Sequence, residues 1–152
     1  MTLRPATSAD REVIEALIFG ILRDYGLEPS PETTDADLAD IAAHYSGNRG
    51  SFDVMESDEG RIIGTVAVHR TGDDLCELRK MYLAKELRGQ GWGKRLLDHA
   101  IESGRKLGYR TMWLETADSL KESHRLYELY GFQSFVPPHQ SDRCDFAMKR
   151  DL

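Results

Sequence analysis

Residues 88–95 read RGQGWGKR: glycines at 89, 91 and 93 alternate with Gln90 and Trp92, inside a bracket of Arg88, Lys94 and Arg95. Glycine loses more conformational freedom on folding than any other residue, so this spacing is unfavourable unless bare backbone is required there. The preceding CELRKMYL has strand character. Lys94 to Gly108 carries Leu96, Leu97, Ala100, Ile101 and Leu107 along one helical face, with Gly108 at the C-cap. A glycine-rich loop therefore joins a strand to a helix N-terminus. Unpaired N–H groups and the positive end of the helix dipole favour an anion at such a place. Alternating glycines admit the anion close to the backbone, and Arg88, Lys94 and Arg95 add charge. The loop has the build of a pyrophosphate cradle.

The rest of the chain supplies strands and helices around this junction. Met1 to Arg4 reads as a short strand ended by Pro5. TSADREVIEALIFGILRDYG reads as a helix capped by Thr7 or Ser8, with Val13, Ile14, Leu17, Ile18, Ile21 and Leu22 at helical spacing and Gly26 at its end. DADLADIAAHY reads as a second, shorter helix. FDVMES, IIGTVAVHR and CELRKMYL, separated by the turns DEGR and TGDD, predict an antiparallel meander. YRTMWLETA follows as an apolar strand and SLKESHRLYELYG as a helix closed by Gly131. FQSFV and CDFAMK are the last strands. The order β-α-α-β-β-β-α-β-α-β-β is an α+β (αβα) architecture, a mixed sheet with helices packed on it.

At 152 residues the chain has the length of one domain, read here as spanning 1–152. About 70% of the unfolded surface is buried at that size, enough for a core without staples. The formal charge of −6 argues against nucleic acid or an anionic membrane as partner. Cys76 and Cys144 are the only cysteines, with no zinc spacing and no disulfide framework, and no metal site is read. The start MTLRPATSADRE has no apolar signal region and no apolar run approaches 18 residues, so a soluble, cytoplasmic protein is expected.

Three phosphate-binding patterns compete for the loop. The dinucleotide fingerprint needs G-x-G-x-x-G directly after a strand, but the spacing is G-x-G-x-G and AKELR intervenes. A Walker A loop needs a glycine where Arg88 stands and Ser or Thr where Arg95 stands. Arg88-x-x-Gly91-x-Gly93 instead resembles the R/Q-x-x-G-x-G/A motif with which GNAT superfamily acyl-CoA N-acyltransferases hold the CoA pyrophosphate. ELRKMYLAKELRGQGWGKRLL resembles that family's central strand, loop and helix. WLET is similar to its following strand, and LYELYGF to its L-Y-x-x-x-G-F signature. These blocks run in the family's order from about Glu77 to Phe132.

The resemblance implies a GNAT fold: a mixed, mostly antiparallel seven-stranded sheet splayed at its centre between CELRKMYL and YRTMWLET, with about four helices on both faces. It implies acetyl-CoA as cosubstrate, its pantetheine arm paired with the backbone of Met81 and Leu83. The pyrophosphate would lie on the amides of Arg88, Gly89, Gln90, Gly91, Trp92, Gly93 and Lys94, with Trp92 packed as a lid. Tyr127 falls at the family's general-acid position, four residues before Gly131. Glu77 and Glu115 are the candidate bases, each also readable as a solvated or ion-paired carboxylate. Many relatives carry an asparagine where this chain has Leu120, and Ser119 or Ser123 could take over its contact to CoA.

The chemistry implied is direct acetyl transfer to a primary amine. It needs a base to neutralise an ammonium of pKa ~10, a donor for the oxyanion near Leu83, and an acid for a thiolate comparable to a cysteine's at ~8.5. His124, one turn before Tyr127, reads as a relay or as an ordinary satisfied histidine. A small-molecule or peptide amine is the expected acceptor, contacted by DYGLEPSPETTDADL and FVPPHQSDRC. Asp24, Glu28, Glu32, Asp35 and Asp37 could attract a cation, or could be solvated and helix-capping acids. A non-catalytic acyl-CoA sensor, another acyl group and a hydroxyl acceptor stay open. CDFAMK, as an exposed edge, would allow a homodimer.

Overall fold

The alternating segments between residues 51 and 83 pair as their period predicts, and the sheet grows outward from them. The computed structural model of the chain describes residues 1–117, 121–137 and 146–152. The strands are β1 (Thr2–Pro5), β2 (Ser51–Glu56), β3 (Ile62–Arg70), β4 (Leu75–Leu83), β5 (Thr111–Thr116), β6 (Gln133–Ser134) and β7 (Phe146–Asp151). They form one seven-stranded sheet in the order β1-β2-β3-β4-β5-β7-β6, antiparallel except for β4 and β5. The helices are α1 (Arg11–Asp24), α2 (Ile41–His44), α3 (Trp92–Lys106) and α4 (Lys121–Leu129).

Two apolar layers flank the sheet. α1 sends Ile14, Ile18 and Leu22 onto Phe52, Val54 and Ala67, with Leu38 and Tyr45 completing that layer. α3 sends Leu96, Leu97, Ala100 and Ile101 onto the opposite face, where Tyr127, Phe132, Met112 and Leu114 join them. The buried stripe of α1 omits Val13, which is 49% exposed, against the sequence expectation. DADLADIAAHY also differs from expectation. It breaks into a 3₁₀ turn at Ala36–Ala39 and the single turn of α2, because Asp40 adopts φ −146° between them and caps Ala43 N–H with its carboxylate at 3.1 Å.

β7 is an interior strand. It pairs with β5 along its whole length and with β6 at Lys149 and Met148, so its described residues, from Phe146 on, are not the exposed edge expected of CDFAMK. Cys144 and most of the PPHQSDR loop lie outside the described residues.

The pairing that matters for function is the parallel one. β4 and β5 share only three partners, Leu75 with Thr111, Cys76 with Met112 and Glu77 with Trp113. Beyond them β4 runs on to Leu83 and β5 to Thr116 without facing each other. The closed end is clamped. Arg49 Nε donates to the Leu107 carbonyl and Nη1 to the Asp73 carbonyl, both at 2.9 Å, while its guanidinium covers the Tyr109 ring at 4.3 Å. Arg110 N–H donates to the Asp74 carbonyl at 2.9 Å. The sheet is therefore tied at one end and splayed at the other, as expected. The carboxyl ends of two parallel strands open onto the loop before α3, where open α/β sheets bind ligands.

Candidate active site

The splay continues into a cleft of about 720 Å³. Its walls are the end of α1 with Tyr25, the segment Thr33–Asp37, β4 from Glu77 to Leu83, Arg88 and Gly89, Gly93, the end of β5 with Ala117, and Ser123, Leu126 and Tyr127 of α4. Glu77, Glu115 and Tyr127, separated by up to 50 positions in sequence, thus border one space. Tyr127 is 6% exposed and its ring meets Phe132 edge-on at 5.8 Å. Glu77 is equally buried, and its Oε1 accepts from Arg79 Nε at 2.6 Å. Thr116 Oγ1 is buried without a hydrogen-bond partner among the described residues.

The edge of β4 is open where a substrate arm could pair. Ala84 N–H donates to the Ile63 carbonyl of β3 at 2.8 Å. Alternate residues of a strand address opposite neighbours, so the backbone groups of Leu83 and Met81 face away from β3, into the splay. Arg88 Nε approaches the Leu83 carbonyl at 3.4 Å, and its guanidinium lies 4.8 Å from the Tyr25 ring centroid.

Past β4 the chain makes a 3₁₀ turn at Lys85–Leu87, then Gly89 and Gly91 take φ of +76° and +88°. Those left-handed conformations account for glycine at both positions. Gly91 caps α3, and Arg95 N–H donates to the Gly91 carbonyl at 3.4 Å. Among the described residues, the N–H groups of 89–94 donate to no backbone carbonyl. Arg88 differs, because its N–H is taken by the Lys85 carbonyl at 3.3 Å, so the set of available amides begins at Gly89. Gln90 turns back to the Glu86 carbonyl at 3.0 Å. Trp92, at the start of α3, packs partly buried against the core, with the Arg95 guanidinium 5.9 Å from its ring centroid. Gln90, Gly91, Trp92 and Lys94 are not among the residues bordering the cleft, whereas Met81, Leu83, Arg88, Gly89, Gly93 and Ser123 are. Ser119 and Leu120 lie outside the described residues.

Sequence reasoning missed the centre of the cleft wall on the α1 side. β4 carries one extra residue against β3: Thr65 faces Tyr82 but Ala67 faces Arg79. Lys80 takes φ +51° at this bulge, and Thr65 Oγ1 donates to its carbonyl at 2.6 Å. The bulge lets Arg79 and Lys80, consecutive residues, both reach the α1 side. Lys80 Nζ is buried 2.6 Å from Asp35 and 3.3 Å from Asp37. Tyr45 donates its hydroxyl to Asp37 Oδ2. Burial first, and Asp37 next, push the Tyr45 phenol well above its ordinary range, so it stays a donor. Burial works against the Arg79 charge, but Glu77 and the Tyr45 oxygen outweigh it and raise the guanidinium above its usual value. Burial, then Arg79, lowers His69. Asp35 and Asp37 are thus buried and paired with Lys80, not solvated caps. Asp35 Oδ2 also accepts from Ser30 N–H at 2.8 Å, closing the loop that forms the wall. Among the described residues no cluster of three His, Cys, Asp or Glu could hold a metal.

An open parallel pair and a glycine-capped helix N-terminus meet at one cleft, and the family model for the Acetyltransferase (GNAT) family matches residues 16–132. The chain belongs to the GNAT family. An uncharacterised N-acetyltransferase of Escherichia coli, YjgM, is 35% identical over 86% of this chain and 81% of its own length. An N-acetylaspartate synthetase of Danio rerio is 35% identical over 64% of this chain but only 35% of the relative. Among solved structures, a GNAT acetyltransferase of Staphylococcus aureus Mu50 superposes with a TM-score of 0.92 at 21% identity, covering 99% of this chain and 98% of the other. A GNAT phosphinothricin acetyltransferase of Sinorhizobium meliloti, crystallised with acetyl-CoA, superposes with a TM-score of 0.79 at 24% identity, covering 99% and 88%. These likenesses carry the GNAT fold, and the family places the chain among acyl-CoA-dependent acetyltransferases.

Proposed function

We propose that this chain moves the acetyl group of acetyl-CoA directly to a primary amine of a small molecule or peptide. The observation that carries the reading is the splay itself: it gathers Glu77, Glu115 and Tyr127 around one cleft that Gly89 and Gly93 of the loop also border. The pyrophosphate rests on the N–H groups of residues 89–94, and the pantetheine arm pairs with the backbone of Met81 and Leu83 as an added strand. Ser123 borders the arm on the α4 side.

In the reaction, a carboxylate, Glu77 or Glu115, accepts a proton from the acceptor's ammonium, directly or through water. The neutral nitrogen attacks the thioester carbon. The carbonyl oxygen takes up charge that an N–H of the opened β4 edge near Leu83 stabilises. The C–S bond breaks, Tyr127 donates its hydroxyl proton to the departing sulfur, and the nitrogen loses its second proton to the site. The Danio rerio relative's name supports an acceptor that is small and carries an amine.

The test is thiol release from acetyl-CoA across a panel of amines. Tyr127→Phe is expected to lower kcat about 100-fold while leaving acetyl-CoA affinity unchanged. Acetyl-CoA binding with no thiol release for any amine, alcohol or longer acyl donor would contradict the reading and leave a CoA-binding module.

A further inference from the structure

The cleft contains charges of both signs, and the way they pair restricts the acceptor. The acids of the wall are already engaged, Asp35 and Asp37 by the buried ammonium of Lys80. Those two acids of the segment are therefore partly neutralised before any acceptor enters. On β4, Glu77 and Arg79 border the cleft two residues apart, locked at 2.6 Å. Glu77 takes the Nε edge of the guanidinium and the Tyr45 oxygen a further contact, and a guanidinium has five N–H donors. The Arg79 side chain is 25% exposed, so the pair is pinned but reachable.

Resting on the reading that this chain acetylates an amine, we propose that its acceptor is a free α-amino acid. Arg79 binds the carboxylate and Glu77 addresses the ammonium. An α-amino acid zwitterion carries opposite charges on two groups attached to one carbon, and the Glu77–Arg79 pair places the complementary charges side by side on one strand. Planar N–H pairs suit a carboxylate. A plain amine leaves the remaining Arg79 donors without an anion. A polyamine or a lysine-rich peptide meets Arg79 and Arg88 as like charges bordering the same space. The Lys80 bulge is what makes this possible, because it spends the second cation of the Arg79-Lys80 dipeptide on the wall acids and leaves Arg79 for the ligand.

The experiment compares the best free amino acid from a full panel with its carboxamide and its decarboxylated amine, by thiol release from acetyl-CoA. Wild-type protein is expected to favour the free amino acid by at least about 100-fold in kcat/KM, as for a site left with unpaired buried polar groups by the lesser substrate. Arg79→Met is expected to erase that preference by raising KM for the amino acid, leaving KM for acetyl-CoA unchanged, and Arg79→Lys to retain part of it. Equal use of all three acceptors by wild type overturns the proposal. An equal loss for all three in Arg79→Met also overturns it, since Arg79 would then only hold Glu77. If Arg79→Met does not fold, the wild-type series decides by itself. Turnover of simple amines without amino-acid preference sinks this proposal alone. Absence of turnover with every acceptor sinks the acetyl-transfer reading and this proposal with it.

Discussion

Asp10 shows how a single residue ties the first helix to the sheet. Arg4 Nη1 and Nη2 donate to its two oxygens at 2.8 and 3.0 Å, Thr7 N–H adds a third bond at 2.8 Å, and the same Arg4 reaches Glu56 across β1 and β2. The Arg4 hydrogen bonds hold the Asp10 carboxyl down at about 2. A depressed carboxylate contributes stability above its unfolded pKa of about 3.9 and loses it as pH falls through its folded value. Asp10→Asn is therefore expected to cost about 1–2 kcal/mol at pH 7, allowing for the partial exposure of Arg4. Urea titrations should see that difference shrink below pH 4 and vanish near pH 2. At Cys76 burial pushes the thiol up to about 12, so it is a core residue and not a nucleophile.

At the scale of elements, the bulge in β4 is the device that brings Arg79 and Lys80 to one wall of the cleft. A non-glycine residue at φ +51° costs of order 1–3 kcal/mol and persists only when its surroundings hold it. Here the Thr65 hydroxyl and the two buried aspartates do so. Lys80→Met should destabilise the protein by about 3–5 kcal/mol, because it leaves Asp35 and Asp37 as uncompensated buried charges. Thermal or urea unfolding checks this, and a cost below 1 kcal/mol would remove the network from the account. Little of this device is legible in the sequence, since the Lys80–Asp35 contact spans 45 positions and no local pattern marks a left-handed lysine. One signal was present. Arg79 and Lys80 are consecutive between Leu78 and Met81, so strict alternation would have driven one of them into the core behind the sheet. The glycine loop, the meander and the α3 stripe were legible because glycine spacing and side-chain period are local properties. The two-part second helix and the interior place of β7 were not, for they depend on Asp40 and on a strand order set by the whole sheet.

For the whole molecule, the clamp at Arg49 and the three-residue pairing of β4 with β5 decide where the sheet can open, and the loop before α3 lies at that opening. Tyr127, Glu77 and Glu115 were each recognisable from sequence as candidates. Their meeting around one cleft follows from the crossover that carries the chain from β4 through α3 to β5. Binding of acetyl-CoA in this opening through the loop amides, as proposed above, is measured by calorimetric titration. Gly91 sits at φ +88° with open space around a would-be Cβ, so Gly91→Val strains the loop backbone without a clash. Wild-type protein should bind acetyl-CoA with micromolar affinity. Gly91→Val, folded by circular dichroism, should bind about tenfold more weakly, or worse, as expected for 1–3 kcal/mol of backbone strain. No binding heat in the wild type, or the same Kd in both proteins, would contradict the claim.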